Sequence, residues 1–275
     1  METTMLTNSS AAALNEMISL LIAEFKPLYI YQFAQMKQRG EILSIFAKPV
    51  LDVKEMYYLL LITEGTASRE NEIQEFVDRN EREAYFVIHA HGEEILKRNL
   101  NYCNAYFTTV LNQGTLLYSA NGKLLRTKVQ GPNPEKQLLR VQAQWQRRSE
   151  MAKAFIGAAQ QCLENGRDKV CIFLLHHACE QLCVGLIWVY MGYKSDIRNL
   201  RRLLHVCACF STDPMQYFMG SDATEDLLTI LMKSYRGSRY NDDFSLEGRS
   251  AYWFVEVVEG FYDLAEGLCL KRFGR

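Results

Sequence analysis

The sequence predicts an α+β chain, in which an N-terminal α/β domain precedes an all-α bundle of about five helices. Helical and strand-like patterns alternate over the first 127 residues, whereas every periodic segment from residue 141 onward is helical. Between these parts the run QGPNPEK (Gln130–Lys136) contains one Gly and two Pro, which break regular structure. We therefore expect a domain over residues 1–127, a linker over 128–140 and a helical domain over 141–275.

In the first half, an apolar stripe predicts a helix over Ala11–Phe25, which Pro27 ends. The run MYYLLLIT (Met56–Thr63) is continuously apolar between polar neighbours and predicts a buried strand. The other predicted elements are strands at Leu28–Phe33, Glu41–Ala47 and Tyr85–His89, helices at Ser68–Asn80 and Glu93–Asn112, and a hairpin over Thr115–Thr127 around Asn121-Gly122.

The second half centres on the helix DKVCIFLLHHACEQLCVGLIWVYM (Asp168–Met191), which is apolar on both sides. Such a helix is buried inside a bundle or between a core and a second subunit. Four polar residues near its middle make it too polar to span a membrane, and they need partners: His176, His177, Glu180 and Gln181. The helices predicted around it are Val141–Leu163, Asn199–Cys209, Thr224–Ser238 and Leu246–Lys271.

The bulk composition narrows the class of protein. A net charge of −1 gives the chain no overall electrostatic attraction to nucleic acid, so such binding must rest on a local patch of positive charge. The eight Cys lie without paired spacing, mostly in apolar helical runs, as buried thiols in a reducing compartment do. The N-terminus lacks the pattern of a signal peptide, and we expect a cytoplasmic protein.

No metal or cofactor is predicted. His176, Cys179, Glu180 and Cys183 share one face of the central helix within reach of a single ion, but a zinc ligand set from one helix is unusual. A buried helix with small thiols and one polar pair is the favoured interpretation. Two further candidates fail on spacing or number of ligands: the alternating residues of His205–Cys209 and the pair in His89–His91.

The best polar cluster is formed by Arg236, Arg239 and Tyr240. Two guanidinium groups and a phenol are able to grip phosphate and stack on a base. Alternatively, Arg239 pairs with Asp242, Asp243 or the buried Glu180, and both interpretations stay open. A basic edge is expected at Arg198, Arg201 and Arg202, either beside the same groove or, as we favour, on a solvated helix face.

Three segments of the helical half resemble the HEPN domain (higher eukaryotes and prokaryotes nucleotide-binding). FLLHHACEQL (Phe173–Leu182) is similar to its second helix, GYKSDIRNLRRLL (Gly192–Leu204) to the following loop and third helix, and SRYNDDF (Ser238–Phe244) to the segment after its fourth helix. RNA-cleaving HEPN members carry an Arg followed four to six residues later by a His. After Arg239 this sequence has no His, so the resemblance implies the fold without the general acid/base of the ribonuclease reaction.

The first half resembles the minimal nucleotidyltransferase domain that is often fused ahead of a HEPN domain. KPLYIYQFAQ (Lys26–Gln35) lies where the first strand and its Gly-Ser turn belong, and YYLLLIT (Tyr57–Thr63) where the metal-binding strand belongs. Here the turn reads Phe33-Ala34-Gln35, and Tyr57-Tyr58 replaces the expected carboxylates. Asp52 and Glu55 are expected to precede that strand, so the active site is degenerate.

These observations predict a nucleotide- or RNA-binding protein without nucleotidyltransferase or ribonuclease catalysis, and a homodimer formed through the helical domain. Two alternatives stay open: an RNA-processing or nucleotidyl-transferring enzyme of the toxin–antitoxin type, and a structural dimerisation module. The predicted ligand-binding residues are Arg236, Arg239, Tyr240, His176, Glu180 and Arg198, with Arg236 and Arg239 on phosphate, Tyr240 on a base, and His176 with Glu180 orienting them.

Overall fold

The computed structural model describes residues 2–42, 50–81, 83–122, 129–240 and 244–274, with side chains at 11–36, 55–81, 83–122, 129–238 and 244–274. The chain divides into two compact units, Met1–Pro132 and Asn133–Arg275. The first unit combines a sheet with helices and the second is helical, which confirms the α+β fold class. A helix begins at Pro134, so residues 134–140 are helical rather than part of the linker predicted over 128–140.

A sheet forms the centre of the first unit. Its strands are β1 (Tyr29–Ile42), β2 (Val50–Thr63), β3 (Ala84–Gly92) and β4 (Thr115–Ser119). β1 pairs antiparallel with β2 and β4, and β2 pairs parallel with β3, so the order among the described strands is β3-β2-β1-β4. Every residue from Tyr57 to Ile62 is at most 3% exposed. The prediction of a buried strand there is confirmed, because a strand covered on both faces is apolar at successive positions.

Helices cover both faces of this sheet. They are α1 (Glu2–Phe25), α2 (Glu70–Asn80), α3 (Glu93–Asn101) and α4 (Ala105–Gln113). Leu21 of α1 and Ile73 of α2 belong to one core cluster with Leu59 of β2. The single helix predicted over Glu93–Asn112 is wrong. Cys103 has a positive φ of 49°, and Asn104 starts a new helix by accepting a hydrogen bond from the backbone N–H of Phe107 at 3.3 Å.

The hairpin of β1 and β2 is longer than the two predicted strands. Antiparallel pairing extends from Tyr29 opposite Ile62 to Ile42 opposite Val50. The polar residues of this outer part pair by backbone hydrogen bonds, which do not depend on an apolar pattern. The strand predicted at Glu41–Ala47 lies mostly outside the described residues, as does the second arm of the hairpin predicted over Thr115–Thr127.

The second unit is a bundle around the predicted central helix. Its described helices are α5 (Pro134–Glu164), α6 (Asp168–Met191), α7 (Leu200–Cys207), α8 (Asp213–Met219), α9 (Asp222–Tyr240) and α10 (Ala251–Phe273). α6 packs against α5, α7, α9 and α10, so its prediction as a buried helix is confirmed. α8 was not predicted. α10 begins at Ala251 rather than Leu246, because Glu247 and Gly248 have positive φ angles of 54° and 77°.

α6 is long and apolar enough to cross a membrane on composition alone, with a mean hydropathy of 1.7 over its most apolar stretch. However, 72% of that stretch is buried inside the helical unit. The core helix of a bundle meets the same criteria of length and hydropathy. Packing against the neighbouring helices therefore accounts for the apolar surface of α6.

Candidate functional site

Each polar residue at the middle of α6 has a partner. His176 Nδ1 lies 2.9 Å from the carbonyl oxygen of Leu231, and Gln181 Oε1 accepts a hydrogen bond from Arg148 at 2.5 Å. His177 Nδ1 lies 3.2 Å from Glu180 Oε2. The polar residues that the sequence left unexplained thus join α6 to α5 and α9, or to each other, as buried polar groups require.

A cavity of about 730 Å³ opens beside α9, and we call it the α9 groove. This volume lies within the range of small-molecule sites, about 300–1,000 Å³. Its walls come from α6, α9, the start of α7 and the segment before α10. The lining residues are His176, Arg198, Asn199, Leu200, Met232, Lys233, Tyr235, Arg236, Gly237, Phe244, Ser245 and Glu247.

The groove brings together three of the predicted site residues, His176, Arg198 and Arg236. Arg198 precedes Asn199, which caps α7 by accepting a hydrogen bond from the backbone N–H of Arg202. Arg198 therefore stands at the groove rather than on the solvated helix face that we favoured. Its neighbour Arg201 pairs instead with Glu225 at 2.7 Å.

Glu180 is the fourth predicted residue to be placed, and it is not among the residues that line the groove. Its partners are His177 and Arg198, whose Nη1 lies 3.9 Å from Glu180 Oε1. The predicted orienting pair of His176 with Glu180 is therefore replaced by His177 with Glu180. Arg239 and Tyr240 lie in the last turn of α9, with side chains outside the described residues, and Asp242 and Asp243 lie outside them altogether.

His176 is a fixed wall of the groove. It is 2% exposed, and its ring lies 5.3 Å from the ring of Tyr235. Because a carbonyl oxygen only accepts hydrogen bonds, Nδ1 donates its proton to Leu231. In the neutral ring this makes Nε2 an acceptor. His176 thus ties α6 to α9 with a defined tautomer.

Arg236 is exposed, and no carboxylate among the described residues pairs with it. Lys233, three residues earlier on the same helix, donates a hydrogen bond to Glu247 Oε1 at 2.8 Å. Lys233 and, more weakly, Arg249 lower the pKa of Glu247 below its ordinary value. The groove therefore holds an anion of its own beside Lys233 and a guanidinium group that is available to another anion.

An aromatic wall completes the groove. Phe244 is 6% exposed and packs directly on Gly237, where a Cβ atom would lie 2.7 Å from its ring. Glycine at this position lets the segment before α10 approach α9 closely. With Tyr235, this wall supplies apolar ring surface beside the cationic side chains.

The sequence did not single out four of these residues: Lys233, Tyr235, Phe244 and Glu247. Lys233 and Arg236 are three apart on a helix and share a face, which was a readable signal. Phe244 and Glu247 had no such signal, because a helix was expected from Leu246 onward. The packing of Phe244 on Gly237 and the ion pair of Glu247 with Lys233 bring that segment to the groove.

The residues that were considered as metal ligands lie in the core or have other partners. Cys179 and Cys183 are 1% exposed in the core, and burial raises the pKa of Cys179 well above its ordinary value. His89 is buried, lies 5.3 Å from the ring of Phe33, and has Nδ1 at 2.7 Å from the hydroxyl of Tyr106. Within the part of the chain that the structure describes, no three His, Cys, Asp or Glu side chains are placed to hold a metal ion.

In the first unit, a continuous strand takes the place of the expected Gly-Ser turn. Ala34 and Gln35 lie in β1 opposite Tyr58 and Tyr57. Glu55 lies within β2 and not ahead of it, and it is 5% exposed. Its Oε2 accepts hydrogen bonds from Gln35 Nε2 at 2.7 Å and from the hydroxyl of Tyr57 at 2.6 Å. Asp52 also lies within β2 instead of preceding it, although its side chain is outside the described residues.

We expect the chain to transfer no nucleotidyl group, because Tyr57 occupies a position where a metal-binding carboxylate belongs and stacks on Phe86 at 5.5 Å. The measurement is incubation with labelled nucleoside triphosphates and magnesium or manganese, with the protein itself or cellular RNA as acceptor. Transfer of label above that of a Tyr57→Ala control would contradict this expectation.

Comparison with known proteins identifies the helical half. Residues 145–268 match the family model described as HEPN domain. No curated protein matches the chain. Among solved structures, a nucleotidyltransferase-like protein from Exiguobacterium sibiricum is 14% identical, with 94% of this chain and 77% of that chain covered and a TM-score of 0.29. A likeness with so low a TM-score does not establish a shared fold.

Proposed function

Because residues 145–268 of this chain form a HEPN domain, we propose that the α9 groove binds the phosphate of a nucleotide or of RNA without catalysing a reaction on it. Arg236 and Arg198 grip the phosphate, since guanidinium groups form strong charge-assisted hydrogen bonds with phosphate oxygens. Tyr235 and Phe244 offer ring surface to a base. Arg239 and Tyr240 follow about one turn further along the backbone of α9 and remain part of this proposal as predicted from the sequence.

The observation that carries the proposal is the state of Arg236. It is exposed at the groove and has no ion-pair partner among the described residues. Two cations near it are matched, Arg201 by Glu225 and Lys233 by Glu247. An unmatched guanidinium in a concave site beside aromatic rings is suited to an anionic ligand from outside the chain.

Binding without RNA cleavage is supported by the missing general acid/base. The last His in the sequence is His205, and the positions four to six residues after Arg239 are Asp243, Phe244 and Ser245. None of these three side chains exchanges a proton near neutral pH as the imidazole of His does. His176 lines the groove, but it is 2% exposed and ties α6 to α9 through its contact with the carbonyl oxygen of Leu231 at 2.9 Å. These observations support a groove that holds phosphate without the Arg and His pair of the RNA-cleaving HEPN members.

Replacing Arg236 with Met is expected to weaken binding of a nucleoside triphosphate or a short single-stranded RNA about ten- to hundredfold. This corresponds to the loss of one charge-assisted contact of about 1.5–3 kcal/mol. Thermal stability should stay unchanged, because the exposed side chain has no described ion pair to lose. Equilibrium titration with fluorescent nucleotide and fluorescent RNA measures both affinities.

The matched control is Arg147→Met, which removes an exposed Arg from α5 outside the groove and should leave both affinities unchanged. Equal affinities of the wild-type protein and the Arg236→Met variant would overturn the proposed site.

The proposal includes a homodimer formed through the helical unit. Large apolar side chains stand exposed on three of its helices: Leu138, Leu139 and Met151 on α5, Val170 on α6, and Tyr252 and Leu270 on α10. In this proposal the second copy of the chain covers these side chains, as contiguous apolar surface is covered in symmetric assemblies. Light scattering should give twice the chain mass of 31.8 kDa. A strictly monomeric species over a hundredfold dilution at micromolar concentration (about 0.1–10 μM) would contradict the dimer.

A further inference from the structure

Three cationic side chains line the α9 groove. Lys233 and Arg236 share one face of α9, and Arg198 stands before the start of α7. All three are accessible, since the side chain of Lys233 is 57% exposed, that of Arg198 is 70% exposed, and Arg236 is also exposed. A ligand with more than one negative charge and several acceptor oxygens is best matched to three cationic groups in one cavity.

Lys233 already has a partner from within the chain. Its Nζ donates to Glu247 Oε1 at 2.8 Å, and both residues line the groove. A ligand that takes over this contact with Lys233 replaces a carboxylate of one negative charge. An internal phosphodiester also carries one charge, so this exchange gains little. A terminal phosphate monoester carries about −1.5 to −2 charges at pH 7 and three acceptor oxygens, so it gains from the exchange.

Glu247 has a second cation beside it. Its Oε2 lies 3.6 Å from Nη1 of Arg249, which Asp226 holds through a 2.5 Å ion pair. The side chain of Glu247 is 47% exposed. Its carboxylate therefore stays solvated and near a cation when it leaves Lys233, and the exchange strands no buried charge.

Size and charge also favour a compact ligand. Proteins that bind a strand use an extended cationic path and several stacked bases. This chain has a net charge of −1, and the groove measures about 730 Å³. Resting on the nucleotide binding proposed above, we infer that the α9 groove takes a nucleotide by its terminal phosphate monoester, which replaces Glu247 on Lys233.

The test compares adenosine 5′-monophosphate and uridine 5′-monophosphate with their 5′-methyl phosphate esters. Each pair shares base and sugar and differs in one phosphate charge. We expect the wild-type protein to bind the monoester at least about tenfold more tightly than the methyl ester. In Lys233→Met this preference should shrink to about threefold or less. The exposed Lys271→Met on α10 is the control and should keep the wild-type preference.

The possible outcomes separate this inference from the proposed function. Equal affinity of monoester and methyl ester overturns the choice of a terminal phosphate, while nucleotide binding stands. A six-nucleotide RNA without terminal phosphates that binds as tightly as its 5′-phosphorylated form also overturns it, in favour of strand binding. No measurable affinity for any of these probes overturns the proposed function as well.

Discussion

The helical unit is expected to unfold when the pH is raised from about 8 to about 10.5, because its buried thiols ionise only in the unfolded chain. Burial raises the pKa of Cys171 and of Cys209 to about 12. It also raises the pKa of Cys179, Cys207 and Cys269 above the ordinary value. All five thiols lie on α6, α7, α10 or directly after α7, around one core.

The direction of the effect follows from the protons that each state binds. A thiol in the unfolded chain has a pKa of about 8.5, so below that pH both states bind the same protons and stability is fully present. Above it, the unfolded chain releases protons that the folded chain retains. Each deeply buried thiol then lowers the free energy of unfolding by about 1.4 kcal/mol per pH unit. Cys179 and Cys207 alone remove about 3 kcal/mol per pH unit, against a total of about 5–15 kcal/mol for a typical domain.

Urea unfolding under reducing conditions measures the free energy of unfolding between pH 7 and pH 10. Above the pKa of a free thiol, this free energy should fall by about 3 kcal/mol per pH unit. Tryptophan fluorescence reports on the helical unit alone, because all three Trp lie there: Trp145, Trp188 and Trp253. Cys207→Ala should make the slope shallower by about 1.4 kcal/mol per pH unit. Cys103→Ala, in the other unit, should leave the slope unchanged. A free energy of unfolding that does not change up to pH 10 would contradict the expected ionisation of the thiols, whose pKa in the unfolded chain is about 8.5.

The sequence predicted best those elements whose own residues determine them. α6 has the predicted bounds because its apolar surface runs all round and Gly192 ends it with a positive φ of 66°. The apolar run in β2 was found for the same reason. The outer part of the β1–β2 hairpin was missed, since pairing between strands rather than any local pattern forms it. The break at Cys103 depends on a single positive φ of 49°, which no apolar periodicity records.

The residues of the candidate site also divide into those that the sequence predicted and those that it did not. His176 and Arg198 were found on segments that resemble a known family, Arg236 was found just before a third such segment, and all three line one groove. Of the two partners of Glu180, His177 was readable from its spacing of three residues on α6, whereas Arg198 reaches Glu180 only after the loop before α7 has packed. Lys233 was readable from its spacing to Arg236 and was overlooked.

Replacing Gly237 with Ala is expected to weaken nucleotide binding about tenfold or more, because the new methyl group displaces the aromatic wall of the groove. The added Cβ would lie 2.7 Å from Phe244 Cδ2 and 3.0 Å from Cγ, closer than real Cβ contacts allow. Since the α9 backbone is fixed, the ring of Phe244 must move. Alanine in a helix favours folding by about 1 kcal/mol over glycine, whereas overpacking costs about 1–3 kcal/mol. The net loss of stability should therefore be small.

Gly267→Ala on α10 is the matched control, because a Cβ there meets nothing within 4 Å. It should stabilise the helical unit by up to about 1 kcal/mol and leave nucleotide affinity unchanged. Thermal melts and nucleotide titrations on both variants give the comparison.

A double variant, Gly237→Ala with Phe244→Ala, separates the loss of the Phe244 ring from the displacement of the segment before α10 by the new methyl group. Removing the ring relieves the close contact with the new methyl group but leaves the groove without its aromatic wall. If Phe244 contacts the base, the double variant should bind no better than Gly237→Ala alone. If the methyl group acts only by pushing the segment before α10 out of place, the double variant should regain wild-type affinity. Full affinity in the single Gly237→Ala variant, with unchanged stability, would remove Phe244 from the site altogether.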